Sequence, residues 1–325
     1  MQLLSPHDYI KQATDAISRA KKRVSFISMV ITTDESTDKL LEALAAAARR
    51  GVNVRVAGDM FTYTELSGQF IPSHYYSKKV RSTTKMARTL SRAGVDFHWL
   101  GRLNITTISG RTHSKWCVVD DTVFSFGGVN LYEEATRNTD YMFRTTDARL
   151  AGKLFTEHQH IVRADKKRHP YRSHSTKLDS MSTVLFDAGL FGDSIIYERA
   201  CRHAAEAKRI IYVSQYCPTG RLTRLLHRTN TTLYFNPWQT ARGFNRFVIR
   251  AGMFLTNQQT TYNRSAYLHA KCMIFEFEDG TKKAITGSHN FVHGGVLLGT
   301  REVALETSNP ATIKQLESFI AHYVA

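Results

Sequence analysis

The heptapeptide KRVSFIS, residues 22–28, returns 186 positions later as KRIIYVS, residues 208–214, and the fold is legible from this recurrence. Each copy closes a run with helical spacing. Ahead of the first, DYIKQATDAISRA places Ile10, Ala13, Ala16, Ile17 and Ala20 on one side of a helix, and SIIYERACRHAAEA precedes the second in the same way. β-Branched and aromatic residues then predict a strand from Val24 and again from Ile210. DKLLEALAAAARRGVNVRVAGDM, from Asp38, adds a second helix, a stop at Gly51 and a strand through Val52, Val54 and Val56. Alternation of helix and strand predicts an α/β chain built on layered sheets. Two similar halves, each of roughly 160 residues, predict a pseudo-two-fold molecule with its site at the shared interface.

A second repeat fixes where the halves differ. RTHSKWCVVDD, from Arg111, is echoed by YLHAKCMIFEF, from Tyr267, at an offset of 156 rather than 186. The first copy therefore carries a surplus of about 30 residues, which the flanking patterns place within residues 59–98. Between the copies, RADKKRHPYRSHSTKLDS is basic, polar and broken by Pro170. The predicted division is an N-terminal domain over 1–165, a linker over 166–182 and a C-terminal domain over 183–325.

The chain has 325 residues, with 42% hydrophobic and 22% charged, values of a globular protein with real cores. Forty-four Lys and Arg against 28 Asp and Glu leave a formal charge of +16, which suits phosphates on nucleic acid or on an anionic membrane. No apolar run approaches a membrane span and the opening residues lack the order of a signal peptide, so a cytoplasmic protein, peripheral on the inner face of the membrane, is expected. Cys117, Cys201, Cys217 and Cys272 lack metal-binding spacing and read as small core residues.

In the first half His113, Lys115, Asp120, Gly127, Gly128 and Asn130 follow the spacing H-x-K-x4-D-x6-G-G-x-N. The second half offers His269, Lys271, Glu276, Gly287, Ser288 and Asn290. Histidine and lysine two apart share one face of a strand, and a second strand brings the asparagine to its end. The site is thus expected near strand ends.

These motifs resemble the HKD signature of the phospholipase D superfamily, present twice in a two-domain chain, and are most similar to its phosphatidylserine and cardiolipin synthase branch. The second copy departs in having Glu276 for Asp and a longer FEDGTKK loop. The resemblance implies two similar α/β/α sandwich domains related by a pseudo-two-fold axis, with the active site between them. It also implies a phosphohistidine intermediate, with His113 as nucleophile and His269 as acid and then base. Such chemistry is reasonable for these groups. Neutral imidazole attacks an anionic phosphodiester more readily than an anion does, a protonated one gives its proton to the leaving alkoxide, and Lys115, Lys271, Asn130 and Asn290 hold the nonbridging oxygens. No metal and no cofactor is required.

Family histidines are oriented by a carboxylate lying past the asparagine. Asp140 and Glu302 occupy such places, 27 and 33 residues after their histidines, which makes Asp140 the expected partner of His113. Asp120 and Glu276 are expected to tie down their turns. Gly127, Gly128 and Gly287 permit close backbone approach in a phosphate-binding turn, where Ser288 is a further donor.

The superfamily acts on phospholipids and on nucleic acids. A chain with two motifs needs no second copy to complete a site. Its apolar and aromatic stretches, Phe61, Tyr63, Phe70, Ile71, Tyr75 and Tyr76 and then FNPWQTARGFNRFVIRAGMFL from Phe235, suit an anionic phospholipid bilayer. The expectation is a cardiolipin-synthase-like phosphatidyltransferase with an alcohol or phospholipid acceptor, and with hydrolysis as a second outcome. The alternative is a metal-independent nuclease or DNA-end phosphodiesterase, since aromatic rings and arginines also suit single strands.

Overall fold

A computed structural model describes residues 1–63, 78–101, 111–241 and 243–325 of the chain. Phe70, Ile71, Tyr75 and Tyr76 lie outside the described residues.

The first half opens with β1 (Gln2–Leu4) and α1 (Pro6–Ser18). Ser5 caps α1 by accepting from the Asp8 N–H, and Pro6 stands at its first turn, where no amide hydrogen is needed. Tyr9, Ile10, Ala13 and Ile17 form its buried face. There follow β2 (Arg23–Ser28), α2 (Asp38–Arg49), β3 (Asn53–Asp59), α3 (Lys78–Arg92), β4 (Asp96–Leu100), β5 (Trp116–Val119), β6 (Thr122–Ser125) and β7 (Met142–Thr146). Their order across the sheet is β1-β7-β6-β5-β2-β3-β4. Strands β2, β3 and β4 run parallel, and the other pairings are antiparallel.

After α4 (Ala148–Lys167) the second half contributes β8 (His174–Lys177), β9 (Ser182–Ala188), α5 (Ile195–Glu206), β10 (Arg209–Val213), α6 (Arg221–Leu226), β11 (Asn230–Tyr234), α7 (Gly243–Thr256), β12 (Cys272–Glu276), β13 (Lys282–Gly287), α8 (His293–Leu297), β14 (Arg301–Thr307) and α9 (Pro310–Tyr323). The sheet runs β11-β10-β12-β13-β14-β9-β8. Read from its other edge it repeats the first sheet, with β9 in the place of β1 and β10 in the place of β2. β4, a parallel strand on the sheet edge, has no counterpart in the second half, where α7 stands in the place of α3, and the connection from β2 to β3 is also longer than that from β10 to β11.

Residues 174–177 of the predicted linker differ from expectation. They form β8, an edge strand antiparallel to β9. His-Ser-Thr-Lys, alternately exposed, has the polarity of a loop because an edge strand faces solvent on one side and buries little.

One buried cluster belongs to both halves. It joins Ile27, Trp116, Tyr141 and Phe143 to Val213, Leu268, Cys272 and Val303, with Leu150 and Leu154 of α4 and Leu316 and Phe319 of α9 between them. Outer cores under α1 and α2, and under α5 and α6, complete two α/β/α sandwiches. The Tyr141 hydroxyl lies 2.6 Å from Thr286 Oγ1, which pins the end of β13 to the first half. A continuous apolar core of this kind holds the halves in one register.

Candidate active site

Both HKD stretches enter the interface just before β5 and β12, and each is gripped there by the opposite half. Thr112 bridges Arg301, and Leu268 bridges Thr139. The N–H groups of His113 and Ser114 donate to the Arg301 carbonyl at 2.8 and 3.1 Å; those of His269 and Ala270 donate to the Thr139 carbonyl at 3.0 and 2.9 Å. The residues that follow Thr139 and Arg301 are Asp140 and Glu302. Each half therefore supplies the carboxylate for the other half's histidine. Asp140 Oδ2 lies 2.7 Å from His269 Nδ1, and Glu302 Oε1 lies 3.1 Å from His113 Nδ1. The expected pairing of Asp140 with His113 is thus corrected, because the inter-half bridges deliver each acid across the interface.

Electrostatics then fix the imidazole tautomers. Burial alone would raise the Glu302 carboxyl, but the charge and hydrogen bond of His113, with His289 and Lys115, outweigh it and hold the group at about 2. Burial likewise opposes ionisation of Asp140, and His269 and Lys271 bring it below its ordinary value. An ionised carboxylate can only accept, so each Nδ1 carries a proton, and a ring in its neutral form offers a lone pair at Nε2. Burial, then Lys271, lowers His269 to about 4 against the opposing pull of Asp140, so that ring is neutral at physiological pH.

Lys115 and Lys271 are buried, 2% and 1% exposed. Each ammonium uses one donor on its own motif's histidine carbonyl, Lys115 Nζ to His113 O at 2.7 Å and Lys271 Nζ to His269 O. Burial depresses Lys115 to about 8 and Lys271 to about 7, against the pull of Asp140 and Glu302. An anion placed beside them reverses part of that desolvation cost. Inorganic phosphate should therefore bind with net proton uptake at pH 8–9, seen calorimetrically as a heat that varies with the buffer's ionisation enthalpy. Binding without proton exchange would contradict these lysines as the anion site. Both lysines contribute stability that is complete above their unfolded value of 10.5 and lost as pH falls through 8 and then 7.

Asn130 Oδ1 accepts from the Val30 N–H at 3.4 Å, whereas the Ser214 hydroxyl, 3.4 Å from Asn290 Oδ1, donates to the Asn290 backbone carbonyl at 2.9 Å. The amide N–H groups of the two asparagines are the donors they can offer to a ligand.

The glycines allow the close backbone approach expected of them. A Cβ on Gly127 would lie 1.8 Å from the Tyr141 carbonyl oxygen, and one on Gly287 would lie 2.2 Å from that of Val303. These glycines let the asparagine-bearing turns lie against the carboxylate strands. The Gly128 N–H donates to Asp140 Oδ1 at 3.2 Å, and the Ser288 hydroxyl donates to Glu302 Oε2 at 2.5 Å. The reading of Ser288 as a phosphate donor is corrected: its hydrogen is spent on Glu302, as that of the Gly128 N–H is on Asp140.

Asp120 stands at the far end of β5, where its carboxylate accepts from the backbone N–H groups of Lys21, Lys22 and Arg23 at 2.8–3.0 Å. Among the described residues Glu276 makes no such set of bonds. It pairs with Lys208 at 3.3 Å, because the longer hairpin after it changes the turn.

Two positioning residues escaped the sequence reading. Buried Asp59, at the end of β3, accepts from the Thr112 N–H at 2.7 Å and pairs with Arg111 at 2.9 Å. Asn236, at the matching place after β11, accepts from the Leu268 N–H at 2.8 Å. Each side chain thus holds the residue immediately before a histidine. Their common distance from the strand starts Asn53 and Asn230 was the available signal.

Residues 13–162 match the family described as cardiolipin synthase, PLD-like domain. They are a phospholipase D-like domain. Cardiolipin synthase B of Salmonella typhi and that of Salmonella typhimurium are each 30% identical to the chain over 142 residues, 41% of this chain and 30% of theirs. The chain thus spans less than a third of the length of these curated relatives. Among solved structures, the phosphatidylserine synthase of Haemophilus influenzae covers 100% of this chain and 86% of its own, with a TM-score of 0.69 at 15% identity. The polyphosphate kinase of Porphyromonas gingivalis covers 98% of this chain and 46% of its own, with a TM-score of 0.62 at 11% identity. Both show the same fold. The second half of the chain repeats the phospholipase D-like sheet order and carries the second motif.

Proposed function

We propose that this chain transfers phosphatidyl groups between alcohols at an anionic membrane surface, in the manner of a cardiolipin synthase, through a covalent phosphohistidine. Hydrolysis follows when water replaces the acceptor. The observation that carries the reading is the reciprocal pairing of His113 with Glu302 and His269 with Asp140, which gives one site two imidazoles with Nδ1 occupied. No described residue bonds Nε2 of either ring. Such a pair serves an in-line displacement, one ring attacking phosphorus while the other protonates the leaving oxygen.

Charge balance supports it. A phosphodiester monoanion beside Lys115 and Lys271 favours proton uptake by the site. The acid histidine requires one such proton. In the order implied by the family resemblance, His113 attacks and His269 is the acid, then the base that activates the acceptor. One observation favours the reverse order: His269 is held neutral, as a nucleophile must be, while the His113 side chain is more exposed, 26% against 12%, and better placed to meet an incoming alcohol.

The test is to incubate the protein with phosphatidylglycerol vesicles, and separately with labelled single-stranded DNA, both in EDTA. Lipid turnover with intact DNA is expected. DNA cleavage without lipid turnover overturns the reading in favour of a nuclease, and loss of all turnover in EDTA overturns the metal-free chemistry. Quenching with lipid labelled in its phosphate or diacylglycerol part, which stays on the enzyme when the head alcohol leaves, and mapping the labelled peptide separates the two orders, since label on the His113 peptide and label on the His269 peptide are exclusive outcomes.

A further inference from the structure

The second half contains a long stretch without acids. Between Glu206 and Glu276 there is no aspartate or glutamate, while ten Lys and Arg occur. Helix α7 lies in the middle of it. Phe254 and Leu255 on this helix are 86% and 79% exposed, and Phe247, two turns earlier, is 68% exposed. Arg246 and Arg250 are stacked over Trp238 beside them, at 5.0 and 5.1 Å from the ring centre. Large apolar side chains in water, flanked by arginines and set in a stretch of sequence without acids, are costly for a soluble surface and characteristic of one that meets lipid.

The position of the helix relates this surface to the site. The Ser214 hydroxyl, just past β10, donates to the Asn290 carbonyl at 2.9 Å. Tyr216 then donates to Asn245 Oδ1 at 2.7 Å, and Cys217 Sγ lies 3.2 Å from Thr256 Oγ1, so both ends of α7 are tied to the segment that follows the site strand. On its other side that segment holds α8, where the His293 N–H donates to Thr219 Oγ1 at 2.8 Å. The Gly192 N–H donates to the Val296 carbonyl at 3.0 Å, which joins the 189–192 loop to the same structure. Leu297, at 53%, and Phe191, at 62%, are exposed there. Exposed apolar side chains thus recur on one connected rim, from α7 through residues 216–220 to α8 and the loop after β9.

We infer that this rim, led by Phe254 and Leu255 of α7, is the surface that inserts into an anionic phospholipid bilayer and brings the site to its substrate. The apolar side chains enter the acyl boundary while Arg246 and Arg250 meet the phosphates. A diacyl phospholipid is presented to a soluble enzyme only at a bilayer surface, and the inference rests in this respect on the function proposed above. Aromatic rings that stack on nucleic-acid bases need no aliphatic neighbours, so Leu255 and Leu297 favour lipid over a single strand.

The test pairs wild type with the double variant Phe254→Ser/Leu255→Ser, both at equal melting temperature. Sedimentation with phosphatidylglycerol vesicles measures binding, and turnover of a short-chain phosphatidylglycerol below its micelle concentration measures the site. The variant should lose at least about tenfold in vesicle partition, from the apolar area removed, and keep its turnover of the monomeric lipid. Unchanged vesicle binding by the variant, or no vesicle binding by wild type, overturns the inference; so does retained vesicle binding with lost binding of single-stranded DNA. A wild type that binds vesicles through the rim and turns over no phospholipid overturns the proposed function alone.

Discussion

His113→Ala, His269→Ala and the double variant should show the same residual turnover of phosphatidylglycerol, each at least roughly 10⁴-fold below wild type. Groups that act as one unit give losses that do not add, because removing either breaks the same displacement. The expectation follows from the geometry, in which each imidazole is held by a carboxylate of the opposite half and neither half contains a complete nucleophile and acid. Both backbones are fixed independently of the rings, His113 N by Arg301 O and His269 N by Thr139 O, so the variants should fold. Product formation is measured by chromatography of the lipids, beside a melting curve for each variant. A single variant with more than about a hundredth of wild-type turnover would mean that the partner ring suffices, and the two-histidine reading would fail.

The second large effect concerns the crossed acids. Asp140→Asn should disturb His269, and Glu302→Gln should disturb His113, each with a turnover loss on the order of 10²–10⁴, since an amide in that place can favour the wrong tautomer. The diagnostic measurement is the imidazole nitrogen spectrum. In Asp140→Asn the His269 signals should shift and those of His113 stay, with the reverse in Glu302→Gln. A shift confined to His113 in Asp140→Asn would falsify the crossed arrangement. Loss of Asp140 also removes the chief opposition to burial at His269, so its protonation should move to still lower pH. Glu302 adds a pH signature. Its carboxyl, held at about 2 against an ordinary 4.5, contributes stability that is present above 4.5 and lost as pH falls towards 2. Glu302→Gln should flatten that part of the acid-unfolding curve.

Much of this molecule could be read along the chain. The recurrence of KRVSFIS as KRIIYVS, the helices before them and the paired His-x-Lys stretches implied two like halves, and the sheets repeat one strand order. Local periodicity and residue type carry that information because strands and helices are set by neighbours in sequence. The edge strand His174–Lys177 escaped, since a polar strand buried on one side has the composition of a linker. Tyr63 was misread in the other direction. It belongs to an aromatic stretch that suggested an interface loop, yet it packs against Trp99 with ring centres 5.0 Å apart and is 6% exposed. Composition does not say which face of an aromatic run turns inward.

The sequence by itself determined the candidate groups: two histidines, two lysines and two asparagines at repeated spacing, with Asp140 and Glu302 following them. Only the tertiary structure decided which acid serves which histidine. Spacing counts residues along one strand path, and by that count Asp140 belongs to His113. The bridges of Thr139 to Leu268 and of Arg301 to Thr112 cross between the halves instead, and a hydrogen bond forms with whichever group lies within reach in space. The same bridges left Gly128 and Ser288 facing carboxylates rather than a phosphate, so the fold, through a contact between distant strand ends, assigned the roles that the motif had only supplied.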